Sequence, residues 1–302
     1  IDIDADSTFA LAEEAQARGH RLYHYLVQDL SLKSGGVVAW GRSLQVRREV
    51  GNHATMGPME ELDLADMDVI LMRQDPPFHL GYISAALLLD RLKGKTLVAN
   101  DPREVVNAPE KMFVLDYAQY MPPTLVARHV DDLRAFQKKH GSVVVKPLHG
   151  NGGKAIFRID ESGTNLSALS EVFDQTWPEP HMVQPFLPEV SEGDKRIVLV
   201  DGEFAGAINR FPGEGEFRSN LAQGGHAEAT ELTAREEEIC AAMGPELKRR
   251  GLVFVGIDVI GGKWLTEINV TSPTGIVAID RFNGTDTAAL IWDAIERRHA
   301  AM

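Results

Sequence analysis

The stretch that most constrains this chain is residues 253–273, VFVGIDVIGGKWLTEINVTSP. It reads as two apolar strands joined by a Gly-Gly-Lys turn, and such a hairpin belongs inside a sheet. Yet the first strand carries Asp258, and the second carries Glu267 and Asn269. Side chains on a strand repeat every two residues, so 267 and 269 share a face. A two-residue turn at Gly262-Lys263 pairs 258 with 267, and directly opposed residues lie about 5 Å apart at Cβ. The three polar groups therefore converge. Two bare carboxylates at that range repel, and burying them is costly unless a cation sits between them. All three offer hard oxygen ligands of the kind that Mg2+ or Mn2+ takes beside a phosphate-bearing ligand. A solvated face with scattered acids is the alternative, and the apolar flanks VFVGI and WL speak against it.

The rest of the chain can support a buried hairpin. It has 302 residues, 44% of them hydrophobic, enough for a sizeable core and about two domains. A net charge of −13 argues against nucleic acid or an anionic membrane as the main partner. The single cysteine, Cys240, permits neither a disulfide framework nor a cysteine metal site, and it reads as a small core residue. That usage fits a reducing cytoplasm. No apolar run approaches the ~20 residues of a membrane helix.

Residues 7–19 read as a helix capped by Asp6 or Ser7 and closed at Gly19. An α/β domain normally opens on a strand, so one is expected ahead of Ile1. The strand HRLYHYLV, a small hairpin, the buried strand DVILM, the helix Tyr82–Leu92 and the strand KTLVAN give a β–α–β–α order. That order indicates an open, mostly parallel sheet, with a boundary near residue 107. Beyond it come the helix NAPEKMFVLDYAQ, alternating strands and helices, a hairpin turned at Asp201-Gly202, and the Gly-rich loop 212–225.

VVVKPLHGNGGKAIFRI is strand, glycine loop, strand. Lys154 is followed by Ala155 and an alternating strand, so this is not a Walker A loop. Gly150, Gly152 and Gly153 can still bring backbone N–H groups close to phosphates. Read alone, the segment is equally a plain hairpin turn. Lys146 closes a buried strand, and Lys111 lies on the first turns of a helix. Gln184 and Leu187 lie on an apolar strand whose backbone could pair with an adenine edge.

Taken in order, Lys111, VVKPLHGNGGKAIF, VQPFL, DKRIVLVDGE, INRFPGEGEFRSNLAQGG, GIDVIGG and LTEINVTSP resemble the ATP-grasp ligases. With MRQDPPF in the first domain, the chain is similar in particular to the bacterial glutathione synthetases, over essentially its whole length. The resemblance implies a pre-ATP-grasp open-sheet domain (1–107), an ATP-grasp lid (108–187) and an ATP-grasp body (188–302). It implies ATP between the two sheets of the grasp. Lys111 and Lys146 would touch its phosphates, the loop from Gly150 through Asn151, Gly152 and Gly153 would cover them, and the strand 184–187 would hold the adenine. Asp258, Glu267 and Asn269 match the metal ligands. Arg196, Arg210, Arg218 and Asn220 match positions facing the acyl substrate and the transferred phosphate. Ser272, Pro273 and Thr274 match a segment near the glycine end. Arg73 and Asp75, at a strand's C-terminal end, could read the γ-glutamyl carboxylate and amine.

The implied reaction is ligation of γ-glutamylcysteine to glycine through an acyl phosphate, releasing ADP and phosphate. No nucleophilic side chain is needed, and His149 reads as a loop residue. Arg210 is expected at the acyl phosphate, and the loop carrying Arg218 is expected to close over substrates. The resemblance also implies a tetramer. Two other readings are a different ADP-forming dipeptide or glutamate-adding ligase, and a non-catalytic nucleotide-binding module.

Overall fold

The computed structural model describes residues 1–219 and 224–302. Helix α1 (Ser7–Ala17) begins at Asp6, whose side chain accepts the Phe9 amide at 2.6 Å. Next comes an antiparallel meander of β1 (Leu22–Lys33), β2 (Gly36–Val46) and β3 (Ala54–Asp63). β1 runs well past the HRLYHYLV segment, because apolar residues recur through Leu30 and Leu32 and pair with β2. The parallel part of this region is the pair β4 (Val69–Leu71) and β5 (Leu97–Ala99), joined through α2 (Leu80–Leu89). α3 (Pro102–Val106) follows, with proline in its first turn and Asp101 accepting the Arg103 and Glu104 amides. The helix expected over NAPEKMFVLDYAQ is only α4 (Glu110–Phe113), continued by 3-10 turns through Tyr120 with a kink at Tyr117.

A four-stranded antiparallel sheet comes next: β6 (Leu125–Ala127), β7 (Val143–Pro147), β8 (Phe157–Ile159) and β9 (His181–Pro185), in spatial order β6-β9-β7-β8. Helices α5 (Val130–His140) and α6 (Leu166–Thr176) complete this unit. It has its own core, including Leu133, Val143, Val145, Phe173 and Val183.

The last part is a five-stranded antiparallel sheet of β10 (Asp194–Val200), β11 (Glu203–Phe211), β12 (His226–Ala229), β13 (Phe254–Ile260) and β14 (Trp264–Asn269). Asp201 and Gly202 turn β10 into β11 with φ of 51° and 85°, the two left-handed positions of a tight hairpin. Helix α7 (Ala234–Arg249) packs on one face through Ile239, Met243 and Leu247 against Ile197, Leu199, Val255 and Ile257. Helices α8 (Ile276–Asn283) and α9 (Thr287–His299) pack on the other against Val198, Val200 and Phe254. Both of these cores also take in residues from the first hundred, such as Tyr82 and Leu11. A polar clasp joins the same two regions. Buried Asn100 donates to the carbonyls of Phe254 and Val270, and accepts the Phe254 amide, all at 2.8 Å. Cys240 is buried in α7, and burial pushes its thiol up to about 12. No helix among the described residues is long and apolar enough to cross a membrane.

Candidate active site

On β10, Val198 and Val200 face α8 and α9. Asp194 and Arg196 have the same parity, so they continue along that face. Their cross-strand partners extend the row: Asp194 opposes Arg210 of β11, and Arg196 opposes Asp258 of β13. Asp258 in turn opposes Glu267 of β14, and Gly256 opposes Asn269. One face of four adjacent strands thus carries Arg210, Asp194, Arg196, Asp258, Glu267 and Asn269.

The 258–267 pairing arises differently from the two-residue turn expected from the sequence. Ile260 pairs with Trp264, which leaves a three-residue turn, and Val259 pairs with Leu265. A bulge then inserts Thr266, whose hydroxyl donates to the Asp258 carbonyl at 3.2 Å. The long turn and the bulge cancel. The bulge also switches parity, so that Leu265 and Ile268 both reach the core while Glu267 and Asn269 join the face that carries Arg196 and Asp258.

Asp258 is 4% exposed, and its carboxylate is crowded. Arg196 grips it with two bonds of 2.6 and 3.1 Å, Arg210 lies at 3.0 Å, and the Asn269 amide donates at 3.3 Å. Arg196 reaches it by lying across Gly256, where a Cβ would meet its Cδ and Nη1 at 3.2 Å. Burial alone would raise the Asp258 pKa, but the two guanidinium groups bring it down to about 2. Burial also lowers the Arg210 pKa, an effect that Asp194 and Asp258 outweigh, so Arg210 ends up raised.

Lys111 is 3% exposed and Lys146 is 6% exposed. The Lys111 ammonium lies 3.1 Å from Glu267 and donates to the Gly150 carbonyl at 2.6 Å. Lys146 stands 4.0 Å from the same carboxylate, and burial lowers its pKa against the pull of Glu267. Arg218 pairs with Glu216 and donates to the Gly153 carbonyl at 3.1 Å, which ties the loop after β11 to the glycine loop. Arg196 also donates to the Thr274 carbonyl at 3.3 Å, and Ser272 donates to the Gln74 carbonyl at 2.7 Å. Pro273 is buried.

The other expected residues take different places. Gln184 is buried in β9, and its amide donates to Thr124 at 2.9 Å rather than to the ionic row. Leu187 follows β9 and is half-buried, Asn151 lies in the glycine loop, and Asp75 is exposed. Gly152 and Gly153 adopt positive φ. Arg73 donates to Thr8 at 3.0 Å, keeps a buried Nη1 without a protein partner among the described residues, and is lowered to about 10 by burial. Asn220 lies outside the described residues. His149 is half-buried and lies tilted at 37° against the Phe78 ring with centroids 5.4 Å apart.

Two acids of the cluster escape sequence reasoning. Asp194 is held at 2.9 Å by Arg210, and burial raises it to about 6 against that pull. Its signal was its position, two residues before Arg196 on an alternating strand. Glu110 accepts from Thr271 at 2.7 Å, and burial raises its pKa while Lys111 opposes. The site therefore gathers four cations, Lys111, Lys146, Arg196 and Arg210, among four carboxylates, Glu110, Asp194, Asp258 and Glu267. Among the described residues, no group of three His, Cys, Asp or Glu side chains is arranged to hold a metal ion. The expected metal set reaches three donors only through the amide of Asn269.

Comparison with known proteins gives a consistent family. The profile of the prokaryotic glutathione synthetase N-terminal domain matches residues 1–105, and that of the prokaryotic glutathione synthetase ATP-grasp domain matches residues 110–284. The glutathione synthetase of Rhodopseudomonas palustris is 55% identical over 300 residues, covering 99% of this chain and 96% of that protein. The glutathione synthetase of Yersinia pestis is 42% identical over 303 residues, covering 99% and 95%. Among solved structures, the ATP-grasp ligase PsnB with a minimal precursor aligns with a TM-score of 0.63 at 20% identity, covering 96% and 94%. The RimK domain protein ATP-grasp from Sphaerobacter thermophilus aligns at 0.64 with 18% identity, covering 94% and 93%. These two show the fold alone, an ATP-grasp arrangement. With both domain profiles matched in order and near-full-length relatives at such identity, the chain belongs to the prokaryotic glutathione synthetase family.

Proposed function

We infer that this chain joins γ-glutamylcysteine to glycine at the expense of ATP, releasing glutathione, ADP and phosphate. The observation that carries this reading is the row of alternating charges on β11, β10, β13 and β14, facing two buried lysines within a chain of this family. A carboxylate does not condense with an amine unaided, because its oxygen is a poor leaving group. Transfer of the ATP γ-phosphoryl to the cysteinyl carboxylate makes an acyl phosphate. The glycine amine then attacks the carbonyl and phosphate departs.

The protein's part is positioning and charge stabilisation. Lys111 and Lys146 face the phosphates, and the loop Gly150–Lys154 covers them. Gln184 and Leu187 flank the adenine. Arg210 and Arg218 steady the transferred phosphoryl group and the tetrahedral oxyanion, and a guanidinium can hold two oxygens at once. Arg196 and Asn220 face the acyl substrate, Arg73 and Asp75 its γ-glutamyl end, and Ser272, Pro273 and Thr274 the glycine. The Nη1 of Arg73, without a hydrogen-bond partner among the described residues, supports a bound anion there.

Asp258, Glu267 and Asn269 fit a hard divalent cation in donor chemistry: two carboxylates and an amide oxygen on one face. They would hold Mg2+ or Mn2+, which when bound offsets the charge of the phosphates. We assign residues 1–107 to substrate binding, 108–187 to the lid and 188–302 to the body. The separate core of the four-stranded sheet supports the lid. We also propose a cytoplasmic tetramer, which sedimentation at equilibrium would test.

The function is tested by ADP release from purified protein. Release that requires γ-glutamylcysteine and glycine together supports it. Equal or better release with D-alanine or glutamate in place of glycine overturns it.

A further inference from the structure

We propose that Asp194 is a positioning residue that draws Arg210 away from Asp258, freeing Asp258 to face a divalent cation. The inference rests on the function proposed above. In the structure a single nitrogen of Arg210, Nη2, is divided between two carboxylates. It lies 2.9 Å from Asp194 Oδ2 and 3.0 Å from Asp258 Oδ1. Asp258 already accepts two bonds from Arg196 and one from Asn269. With all of those in place its oxygens have little acceptor capacity left for a metal.

Asp194 has the opposite balance. Its Oδ1 is buried and has no hydrogen-bond partner among the described residues. A guanidinium is a fork that prefers to meet both oxygens of one carboxylate. A small rotation of Arg210 toward Asp194 would complete that fork on an oxygen now unused. The Asp194 carbonyl already accepts Arg210 Nε at 3.2 Å, so the guanidinium is anchored on the correct side for the move. Register fixes the geometry, because Asp194 and Arg210 are direct cross-strand partners, whereas Asp258 lies one strand further away. Arg210 therefore has two partners of unequal commitment, and the transfer keeps it aimed at the cleft instead of leaving a buried cation unpaired.

The test follows Mn2+ binding to the full chain by electron paramagnetic resonance, with a non-hydrolysable ATP analogue present. It compares wild type, Asp194→Asn, Arg210→Met and the double variant. With Asp194 neutral, Arg210 has only Asp258 to hold, so Asp194→Asn should bind Mn2+ about tenfold more weakly, within the coupling range of contacting ionic groups. In the Arg210→Met background there is nothing to draw away, and the same change should alter affinity by less than about twofold. In turnover, Asp194→Asn should need more metal for half-maximal rate, and saturating Mn2+ should recover most of kcat. If Asp194→Asn does not fold, Asp194→Glu carries the same comparison, since it keeps the charge but displaces the oxygens. Equal loss of Mn2+ affinity in both backgrounds, or none in either, overturns the proposal. Wild type that binds no Mn2+, or turns over neither substrate, would instead overturn the function on which it rests.

Discussion

Asp258 shows how much one residue can hold together. It neutralises Arg196 and Arg210, each less than 10% exposed, and removing one partner from a buried ionic group leaves an uncompensated charge. Asp258→Asn is expected to destabilise the fold by about 3–5 kcal/mol in chemical denaturation, in addition to losing activity. A loss of activity with unchanged stability would contradict this account. His181 makes a second residue-scale case. It is fully buried in β9 against Phe173, and both ring nitrogens lack partners among the described residues. Burial lowers its pKa, with Asp174 pulling the other way. The unfolded chain then takes up the proton first, at about pH 6.5, so stability is lost as pH falls through that value toward the lowered folded one. Unfolding midpoints between pH 7.5 and 5.5 should fall for wild type, and fall less for His181→Phe. Parallel slopes in the two proteins would refute it.

Among the elements, the hairpin β13–β14 shows what could be read in advance. The convergence of Asp258, Glu267 and Asn269 was legible from period-two alternation and apolar flanks. The way it is achieved was not, because a three-residue turn and a one-residue bulge leave the same pairing as neither. Nor could the partners of those acids be read. Arg196 and Arg210 lie about sixty and about fifty residues before Asp258 in sequence, and only the sheet order β11-β10-β13 brings them alongside. Asp194 stayed hidden because an acid at a strand's start looks like surface until its cross-strand neighbour is known. The loop after β11 carries its own prediction. Arg218 links it to the glycine loop through the Gly153 carbonyl, so Arg218→Ala should loosen both. The expected result is more ADP released per glutathione formed, since water gains access to the acyl phosphate. An unchanged ratio would show that the loop does not shield the intermediate.

Over the whole molecule, a net charge of −13 coexists with a site where buried lysines and arginines are matched by buried carboxylates. Bulk composition argued against nucleic acid as a main partner but could not reveal that concentration of paired charge. The four-stranded sheet has its own core, whereas the beginning and end of the chain share theirs. Amide exchange should therefore be faster in β7 and β8 than in β10 and β13, and should slow selectively in β7 when an ATP analogue binds. Uniform rates across the two sheets would contradict this division.

The three bonds of Asn100 act as a suture between a parallel ribbon near the amino end and the central strands near the carboxyl end. Two regions sewn together in that way resist swinging apart like jaws. If the four-stranded unit is the lid proposed above, admission of a bulky nucleotide falls to it, hinged on the chain before β6 and after β9, as one moving hammer over a fixed anvil.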